Sequence, residues 1–306
     1  MDAKYLIDRP RPGAENMALD QHMLELAVQH ESIYLRVYQW SAPTVSLGYF
    51  QKYSELLAND ALRSLAAVRR ATGGGAIVHH YDWTYAIAIP DRVWHDALGA
   101  NQAVYELVHD QIVRMLVQMG VPAVKWQSTA NVDSSSAASI ASENGGQACG
   151  AAVDDVAAGR ADTRADCQSV CPFLCFLRRS PGDIVHGSAK LMGSAQRRIR
   201  GGLLQHGSLL LRRSPFAREL AGVWDLRPGR HTGHAAGDLR RGGCDSPPTE
   251  SAWERWAASI GPAMVQAICT GTARALNVNW QPLNDPLPCS PELVQRFESA
   301  CWNEKR

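Results

Sequence analysis

The sequence has almost no net charge and no long apolar run. Its 306 residues include 31 Lys and Arg against 30 Asp and Glu, a formal net charge of +1, so we expect no overall attraction to nucleic acid or to an anionic membrane. A stretch of about 18 apolar residues, as a membrane span requires, is missing. The first residues, MDAKYLIDRPRPG, lack the apolar core and cleavage site of a signal peptide.

Cysteine is also sparse, with eight in the chain. That is too few for a disulfide-dense scaffold, so we expect reduced thiols and a cytoplasmic location. Three of them, Cys167, Cys171 and Cys175, form a C-x3-C-x3-C series. The series lacks the C-x2-C pair and the fourth ligand typical of zinc or iron–sulfur sites, so no metal site is predicted.

Hydrophobic residues make up 45% and charged residues 20% of the chain, as in ordinary globular proteins. Two segments, 128–168 and 227–250, depart from this composition. The first is built from Ala, Ser, Gly and Asp, and the second is richer in basic residues. Neither can bury enough apolar surface to offset the entropy of ordering, so both are predicted to be flexible insertions.

Hydrophobic periodicity places helices and strands along the rest of the chain. Helices are predicted at 15–29, 54–65, 103–119, 252–276 and 290–302. Strands are predicted at 34–40 and 44–50, on both sides of a glycine loop near 73–75, within 172–179 and at 202–211, with a hairpin turning at 186–188. The elements do not alternate as regular βαβ units, which favours an α+β fold with a mixed, largely antiparallel sheet.

A run of three glycines, Gly73, Gly74 and Gly75, follows the arginine pair Arg69 and Arg70. Glycines leave backbone N–H groups unshielded, so a ligand can approach closely, and the arginines can pair with phosphate or carboxylate. The segment has neither the lysine of a P-loop nor the following helix of a dinucleotide fingerprint. The alternative is a tight turn with two solvated arginines.

Cys175 lies in the apolar run PFLCF, which predicts a strand, and Arg178 and Arg179 follow it. A cysteine in such a run is commonly a buried, inert thiol. The functional alternative is a nucleophile whose thiolate is stabilised by nearby cations, either these arginines or Lys190.

Lysine is scarce, with only five in the chain. Lys190 lies on a predicted strand beside Gly193, Ser194 and Ala195, whose small side chains leave space above the sheet. There it can hold an acyl carbonyl or a phosphoryl oxygen. The alternative is a surface lysine on a hairpin.

Three histidines, His79, His80 and His206, are candidate acid–base groups or, equally, structural histidines. The sequence PGD at 181–183 has turn chemistry.

Several motifs occur in a fixed order along the chain. They are NMALD (16–20), W-x-x-P-x-x-S-x-G-x-x-Q (40–51), RRATGGGAIVH (69–79), KLMGSAQRR (190–198) and LQHGSLLL (204–211), with a WN-x-x-R ending. Together they resemble the family of lipoate–protein ligases, biotin ligases and octanoyltransferases. The resemblance covers about residues 10–126, 170–226 and 251–306, and it implies a single catalytic domain of α+β fold that carries the two insertions.

The resemblance also implies site residues. Lys190 would contact the activated acyl carbonyl. The remaining pocket residues implied are Arg69, Arg70, Gly73, Gly74, Gly75, His79, Gly193, Ser194, Ala195, Gln205, His206 and Gly207.

Activation chemistry divides the family. One octanoyltransferase branch resembled here uses a cysteine just before the K-x-x-G-S-A-Q hairpin, and Cys175, in C-F-x-x-x-S-P-x-D, matches it. That branch implies transfer of octanoyl from acyl carrier protein, without a cofactor, to a lipoyl-domain lysine. The acceptor would be the glycine cleavage H protein or a 2-oxoacid dehydrogenase E2.

Other activities within the family remain alternatives. One is an ATP- and Mg²⁺-dependent lipoate ligase acting through an acyl-adenylate, and another is an amidotransferase between lipoyl domains. A third is a binding module without turnover. The family often has Asp after the histidine of the glycine-loop motif, whereas this chain has His80, with Asp82 two residues on as a possible substitute.

Overall fold

An eight-stranded sheet forms the centre of the chain. The computed structural model describes residues 1–93, 101–127, 172–199, 201–227 and 249–305. The strands are β1 Asp2–Ile7, β2 Ile33–Tyr38, β3 Thr44–Leu47, β4 Ala66–Arg69, β5 Ile77–His79, β6 Asp82–Pro90, β7 Val124–Lys125, β8 Ile184–His186, β9 Ala189–Ile199, β10 Gly202–Leu210 and β11 Asn279–Pro282. The helices are α1 Gly13–Gln29, α2 Tyr53–Leu57, α3 Asn101–Gln118, α4 Glu250–Ala275, α5 Pro291–Glu298 and α6 Ala300–Asn303.

The order of the large sheet is β11-β1-β2-β6-β10-β9-β8-β7. Among the strand pairs that the structure describes in this sheet, β1–β2 and β1–β11 are parallel, and the others are antiparallel. A second, three-stranded sheet has the order β4-β3-β5. The predicted α+β class with a mixed, largely antiparallel sheet is therefore confirmed.

The central strand β6 illustrates how the layers form. Its residues alternate in period 2, as a strand between two layers requires. Trp83, Tyr85 and Ile87 pack into a core that includes α3 and α4. Ala86 and Ala88 face the opposite layer, which includes α1 and α5. Two alanines at these positions let α1 pack close to the sheet.

The small sheet has its own apolar cluster, which includes Val45, Leu47, Val78 and Phe176. Phe176 belongs to the segment that carries Cys175, so this cluster fixes that segment against β5. The glycine loop between β4 and β5 therefore lies beside Cys175, although about 100 residues separate them in sequence.

The predicted strand around Cys175 is wrong. Ala76 makes two backbone hydrogen bonds to this segment. Its N–H donates to Phe173 O at 3.1 Å, and its carbonyl accepts from Cys175 N at 2.8 Å. After that short pairing, Cys175–Leu177 forms a single turn of 3-10 helix. The backbone at Cys175 is therefore helical, whereas the apolar run predicted an extended strand.

Two helix predictions are too long. The predicted helix 54–65 is helical only over Tyr53–Leu57, because Asn59 begins a turn and accepts the Ala61 N–H with its side chain at 3.2 Å. The predicted helix 290–302 is divided at Ser299, which caps α6 through Trp302 N at 3.3 Å. The other helices and the hairpin turn at 186–188 are confirmed within a few residues.

The predicted insertion 128–168 lies outside the described residues, as does 227–250 apart from its ends. Among the helices that the structure describes, none combines the length and apolar character needed to cross a membrane.

Candidate active site

A narrow cavity of about 30 Å³ lies between α1, the glycine loop and strands β9 and β10. Nine of the residues predicted for the site line it: Arg70, Gly74, His79, Cys175, Gly193, Ser194, Ala195, His206 and Gly207. Met17, Tyr38, Trp40, Ile77, Thr84 and Ser208 complete the lining. We call this space the thiol cavity. Its volume is about that of one liquid water molecule.

Lys190 lies beside Cys175 and is buried. Its Nζ is 2.7 Å from Asp183 Oδ2 and 3.3 Å from the carbonyl oxygens of Cys175 and Arg178. The Cys175 sulfur is a fourth and more distant neighbour, at 3.7 Å. An ammonium group has three protons, so a substrate oxygen can replace the sulfur contact at the least cost.

Asp183 is the anion that holds Lys190 in this position. Both side chains are 3% exposed, and a buried ion pair persists only when its remaining hydrogen-bonding capacity is met. Ser180 N donates to Asp183 Oδ2 at 2.7 Å, and Tyr105 Oη donates to Oδ1 at 3.2 Å. The PGD sequence is therefore a turn, as predicted, and it also supplies the partner of Lys190.

Tyr105 and His109, one turn apart on α3, form hydrogen bonds to residues around Lys190. We call them the α3 pair. Their rings stack at 4.0 Å. His109 Nδ1 is 2.7 Å from Gly182 O, and its Nε2 is 2.6 Å from Ser194 Oγ. Burial lowers the pKa of His109 to about 4, so the ring is neutral near pH 7, donating to Gly182 and accepting from Ser194.

Two glycines are required by close approach. A Cβ on Gly193 would lie 2.7 Å from Lys190 Cε and 2.9 Å from its Nζ. A Cβ on Gly75 would lie 2.9 Å from the backbone N and Cα of Cys175. Any side chain at either position would displace the lysine or the cysteine segment.

Arg70 lines the cavity, and its two terminal nitrogens donate to the protein, while its buried Nε has no partner among the described residues. Nη1 donates to the Ser46 carbonyl and hydroxyl, both at 2.6 Å, and Nη2 donates to Gly73 O at 3.1 Å and Gly75 O at 2.8 Å. Burial lowers the pKa of Arg70 to about 10, partly offset by Cys175 and Tyr38. Arg70 therefore fixes the shape of the glycine loop.

Arg69 lies outside the cavity lining. Its guanidinium donates to the carbonyls of Gly48, Tyr49, Gln51 and Asn303, at 2.6 to 3.2 Å. Its backbone N–H donates to Asn303 Oδ1 at 2.8 Å. In this geometry Arg69 ties the loop after β3 to α6, which does not favour the ligand contact expected for it.

His79 connects Arg70 to a buried carboxylate. Its Nε2 is 2.7 Å from Ser46 Oγ and its Nδ1 is 2.8 Å from Asp82 Oδ2, while Trp40 stacks on the ring at 3.8 Å. Burial lowers the pKa of His79, so the neutral ring donates to Asp82. Asp82 is 1% exposed, and Thr84 and Ser208 also donate to it, so in this structure it serves as an internal hydrogen-bond acceptor.

The remaining candidates divide between the two faces of β10. His206 faces the cavity, with Nε2 bonded to Thr72 Oγ1 and Nδ1 3.5 Å from Asp20 Oδ2, and burial lowers its pKa. Gln205 points to the other face, where it donates to Tyr85 Oη. His80 lies apart from the cavity lining and bonds Ser214 Oγ at 3.1 Å.

Arg178 and Arg179 do not provide the cation at the thiol. Arg178 Nε donates to Pro172 O at 2.5 Å, and Arg179 donates to Ser188 O while lying 4.7 Å from the Trp126 ring. Lys190 is therefore the cation at the sulfur among the three that the sequence proposed. Cys167 and Cys171 lie outside the described residues, and no group of three or more metal-ligating side chains occurs within the part of the chain that the structure describes.

Sequence reasoning missed Asp183, Tyr105 and His109 as site residues. Asp183 was visible as the last residue of C-F-x-x-x-S-P-x-D but carried only a turn prediction. Tyr105 and His109 are spaced i, i+4 on a predicted amphipathic helix, so polar groups on its buried face were the available signal.

Residues 12–218 match the family of lipoyl protein ligase A/B catalytic domains. This chain belongs to that family. A relative named octanoyltransferase LipM from Symbiobacterium thermophilum is 30% identical over 66% of this chain and 62% of its own length. Another octanoyltransferase LipM, from Oceanobacillus iheyensis, is 30% identical over 72% of this chain and 67% of its own. The chain thus spans about two thirds of the length of these curated relatives.

Solved structures of the same fold include a lipoate-protein ligase A bound with ATP, with a TM-score of 0.59 and 16% identity over 99% of both chains. A bipartite lipoate protein ligase from Thermoplasma acidophilum has a TM-score of 0.56 and 14% identity, over 99% of this chain and 96% of that one. These similarities show that this chain has the fold of the solved lipoate-protein ligases.

Proposed function

We propose that this chain transfers an octanoyl group from acyl carrier protein to a lysine of a lipoyl-domain protein through a thioester on Cys175. The observation that carries the proposal is the Cys175 thiol in the cavity wall, 3.7 Å from the buried ammonium of Lys190. The relatives named octanoyltransferase support it. Either a glycine cleavage H protein or a 2-oxoacid dehydrogenase E2 would supply the acceptor lysine.

In the first half-reaction, the Cys175 sulfur attacks the carbonyl carbon of the donor thioester. The new S–C bond forms, the donor S–C bond breaks, and the thiol proton of Cys175 passes to the departing carrier thiolate. Lys190 would donate a hydrogen bond to the oxyanion, in place of its 3.7 Å contact with the sulfur. Preorganised donors of this kind supply a large part of catalysis in acyl transfer.

In the second half-reaction, the neutral amine of the acceptor lysine attacks the octanoyl-Cys175 carbonyl. The C–N bond forms, the C–S bond breaks, and one amine proton finally resides on the Cys175 sulfur. A thioester becomes an amide, so the donor carries its own activation and ATP is not consumed.

The acyl chain would enter the thiol cavity, whose wall includes Met17, Trp40 and Ile77. At about 30 Å³ the cavity is too small for eight carbons, so binding requires side-chain movement. Met17 is unbranched and adapts easily to such a change.

The test is a transfer assay with octanoyl-acyl carrier protein and an unmodified lipoyl domain, followed by the mass of the lipoyl domain. We expect octanoylation without ATP, and none with Cys175→Ala. Octanoylation that requires free octanoate with Mg²⁺-ATP and survives in Cys175→Ala would identify a ligase and overturn the proposal.

A further inference from the structure

A second cavity, of about 320 Å³, lies on the same side of the sheet as the thiol cavity. Leu24, Val28 and Ile199 form an aliphatic floor, and Arg197 and Arg296 form part of its wall. The catalytic steps described above use none of these residues. Both the volume and the mixed lining are those of a ligand site.

In the wall, Arg197 and Arg296 lie against the rings of Tyr49 and Trp302. Together with Lys305, which contacts both rings without lining the cavity, we call these residues the cation–aromatic column. Arg296 lies 4.1 Å from the Trp302 ring and Arg197 lies 4.1 Å from the Tyr49 ring. Lys305 lies between the rings, 3.4 Å from Trp302 and 3.8 Å from Tyr49. Each contact is a cation–π interaction that orients the charged group.

Within the part of the chain that the structure describes, the cations of this column, Arg197, Arg296 and Lys305, form no ion pair with a carboxylate. The acidic residue among the described lining is Glu25, which accepts a hydrogen bond from Gln21 Nε2 at 3.1 Å. Three neighbouring cations beside an open cavity form a site for an anion.

The column is attached to the loop that covers the reacting thiol. Arg197 Nη1 donates to Ala71 O at 2.6 Å, and Trp302 Nε1 donates to Arg69 O at 2.9 Å. Its cations are therefore held before any ligand arrives, which lowers the entropy cost of binding.

The two cavities are neighbours along β9. Ala195 lines the thiol cavity and Arg197 lines the second cavity. Residues two apart in a strand lie on one face and are separated by about 7 Å. A long, flexible ligand that lies along this strand can thus have its reacting carbonyl at Cys175 and an anionic end at Arg197.

We propose that the second cavity binds the phosphate end of the donor's phosphopantetheine arm, with Arg197 and Arg296 as the phosphate contacts. This inference rests on the proposed function. In phosphopantetheine an ester oxygen and one methylene join the phosphate to a carbon with two methyl groups, which matches cations beside an aliphatic floor. Lys305, between the rings, adds positive potential at the phosphate.

The test compares two small donors, octanoyl-pantetheine and octanoyl-4′-phosphopantetheine, which differ only in the phosphate. We expect the phosphorylated donor to have a KM about tenfold lower with the unaltered chain, as expected for one charge-assisted hydrogen bond. Raising the ionic strength should weaken that preference. Equal KM values for the two donors would overturn the inference.

The variants Arg296→Gln and Lys305→Gln should each raise the KM of the phosphorylated donor severalfold and leave that of octanoyl-pantetheine unchanged. Arg63→Gln, which removes an exposed arginine that lines neither cavity, is the matched control and should change neither. An equal increase for both donors would mean that the cations do not contact phosphate. Continued turnover of octanoyl-pantetheine through Cys175 would leave the proposed function intact in that case.

Octanoyl-coenzyme A and octanoyl-acyl carrier protein carry the same arm and distinguish the source of the phosphate. A parallel loss with both donors in Arg296→Gln supports recognition of the shared arm. A loss confined to the carrier protein would mean that the arginine contacts the protein surface, and would overturn the inference.

Discussion

The arginine pair of the glycine loop and the lysine opposite it are all buried cations, yet their hydrogen bonds serve different purposes. Arg69 and Arg70 direct their guanidinium groups mainly to backbone carbonyls, which fixes the loop. Lys190 divides its three protons among a carboxylate, two carbonyls and a thiol. The two arginines thus hold backbone in place, whereas Lys190 keeps one long contact, to the Cys175 sulfur at 3.7 Å, that a substrate oxygen can replace under the proposed function.

Among substitutions of these three cations, Lys190→Gln should have the largest effect on octanoyl transfer. Loss of the ammonium should lower the rate of octanoyl transfer by about 100-fold or more. It also leaves Asp183 buried and unpaired, which should lower the free energy of unfolding by about 3 kcal/mol. Rates from single-turnover assays and stability from urea denaturation measure the two effects.

The double variant Lys190→Gln with Asp183→Asn separates them. We expect it to recover most of the lost stability because no unpaired charge remains, while transfer stays slow. Recovery of transfer together with stability would contradict a role for Lys190 in the reaction.

Arg69→Gln should affect stability more than chemistry. The substitution leaves several carbonyls near Asn303 without donors, at an expected cost of about 3 kcal/mol in the free energy of unfolding. Because Arg69 lies outside the cavity lining, the rate of transfer per folded molecule should change little. A large fall in that rate, with an unchanged free energy of unfolding, would show that Arg69 contacts the ligand.

Tyr105→Phe removes the hydroxyl that donates to Asp183 Oδ1 at 3.2 Å. We expect a fall in kcat of about tenfold, since hydrogen bonds to charged groups are worth about 1.5–3 kcal/mol, with little change in KM. Ser251→Ala, an exposed hydroxyl on α4, is the control. A change confined to KM would place Tyr105 in substrate binding.

The smallest expected effect is a pH dependence of stability from His109. Its pKa in the folded chain is about 4, below the ordinary value of 6.5, so the unfolded chain binds the extra proton between these values. The free energy of unfolding should therefore be fully present above about pH 6.5 and fall as the pH drops toward 4, by at most about 1.4 kcal/mol per pH unit from this group.

Denaturation at several pH values in His109→Gln measures that contribution. The slope between pH 4 and 6.5 should be shallower than in the unaltered chain, with the buried His79 and His206 accounting for part of the remainder. An unchanged slope would mean that His109 is not neutral in the folded chain.

The fold class was predictable because strand and helix periods are local. The nearness of Cys175 and Lys190 was also predictable, since only 15 positions separate them and the chain reverses between them at the hairpin 186–188. The hydrogen-bond partners of Arg69 and Asp183 were not predictable. Asn303 lies 234 positions from Arg69, and Tyr105 lies 78 positions from Asp183, so only the packed structure brings them together. The turn at Cys175 was missed for a similar reason, because pairing with Ala76 decides it.

The most direct test of the account is the intact mass of the protein after mixing with octanoyl-acyl carrier protein in the absence of ATP. The account predicts one hydroxylamine-labile octanoyl adduct, lost in Cys175→Ala and kept in Cys301→Ala, although Cys301 is the more exposed thiol. An adduct that persists in Cys175→Ala, or no adduct in the unaltered chain, would contradict it.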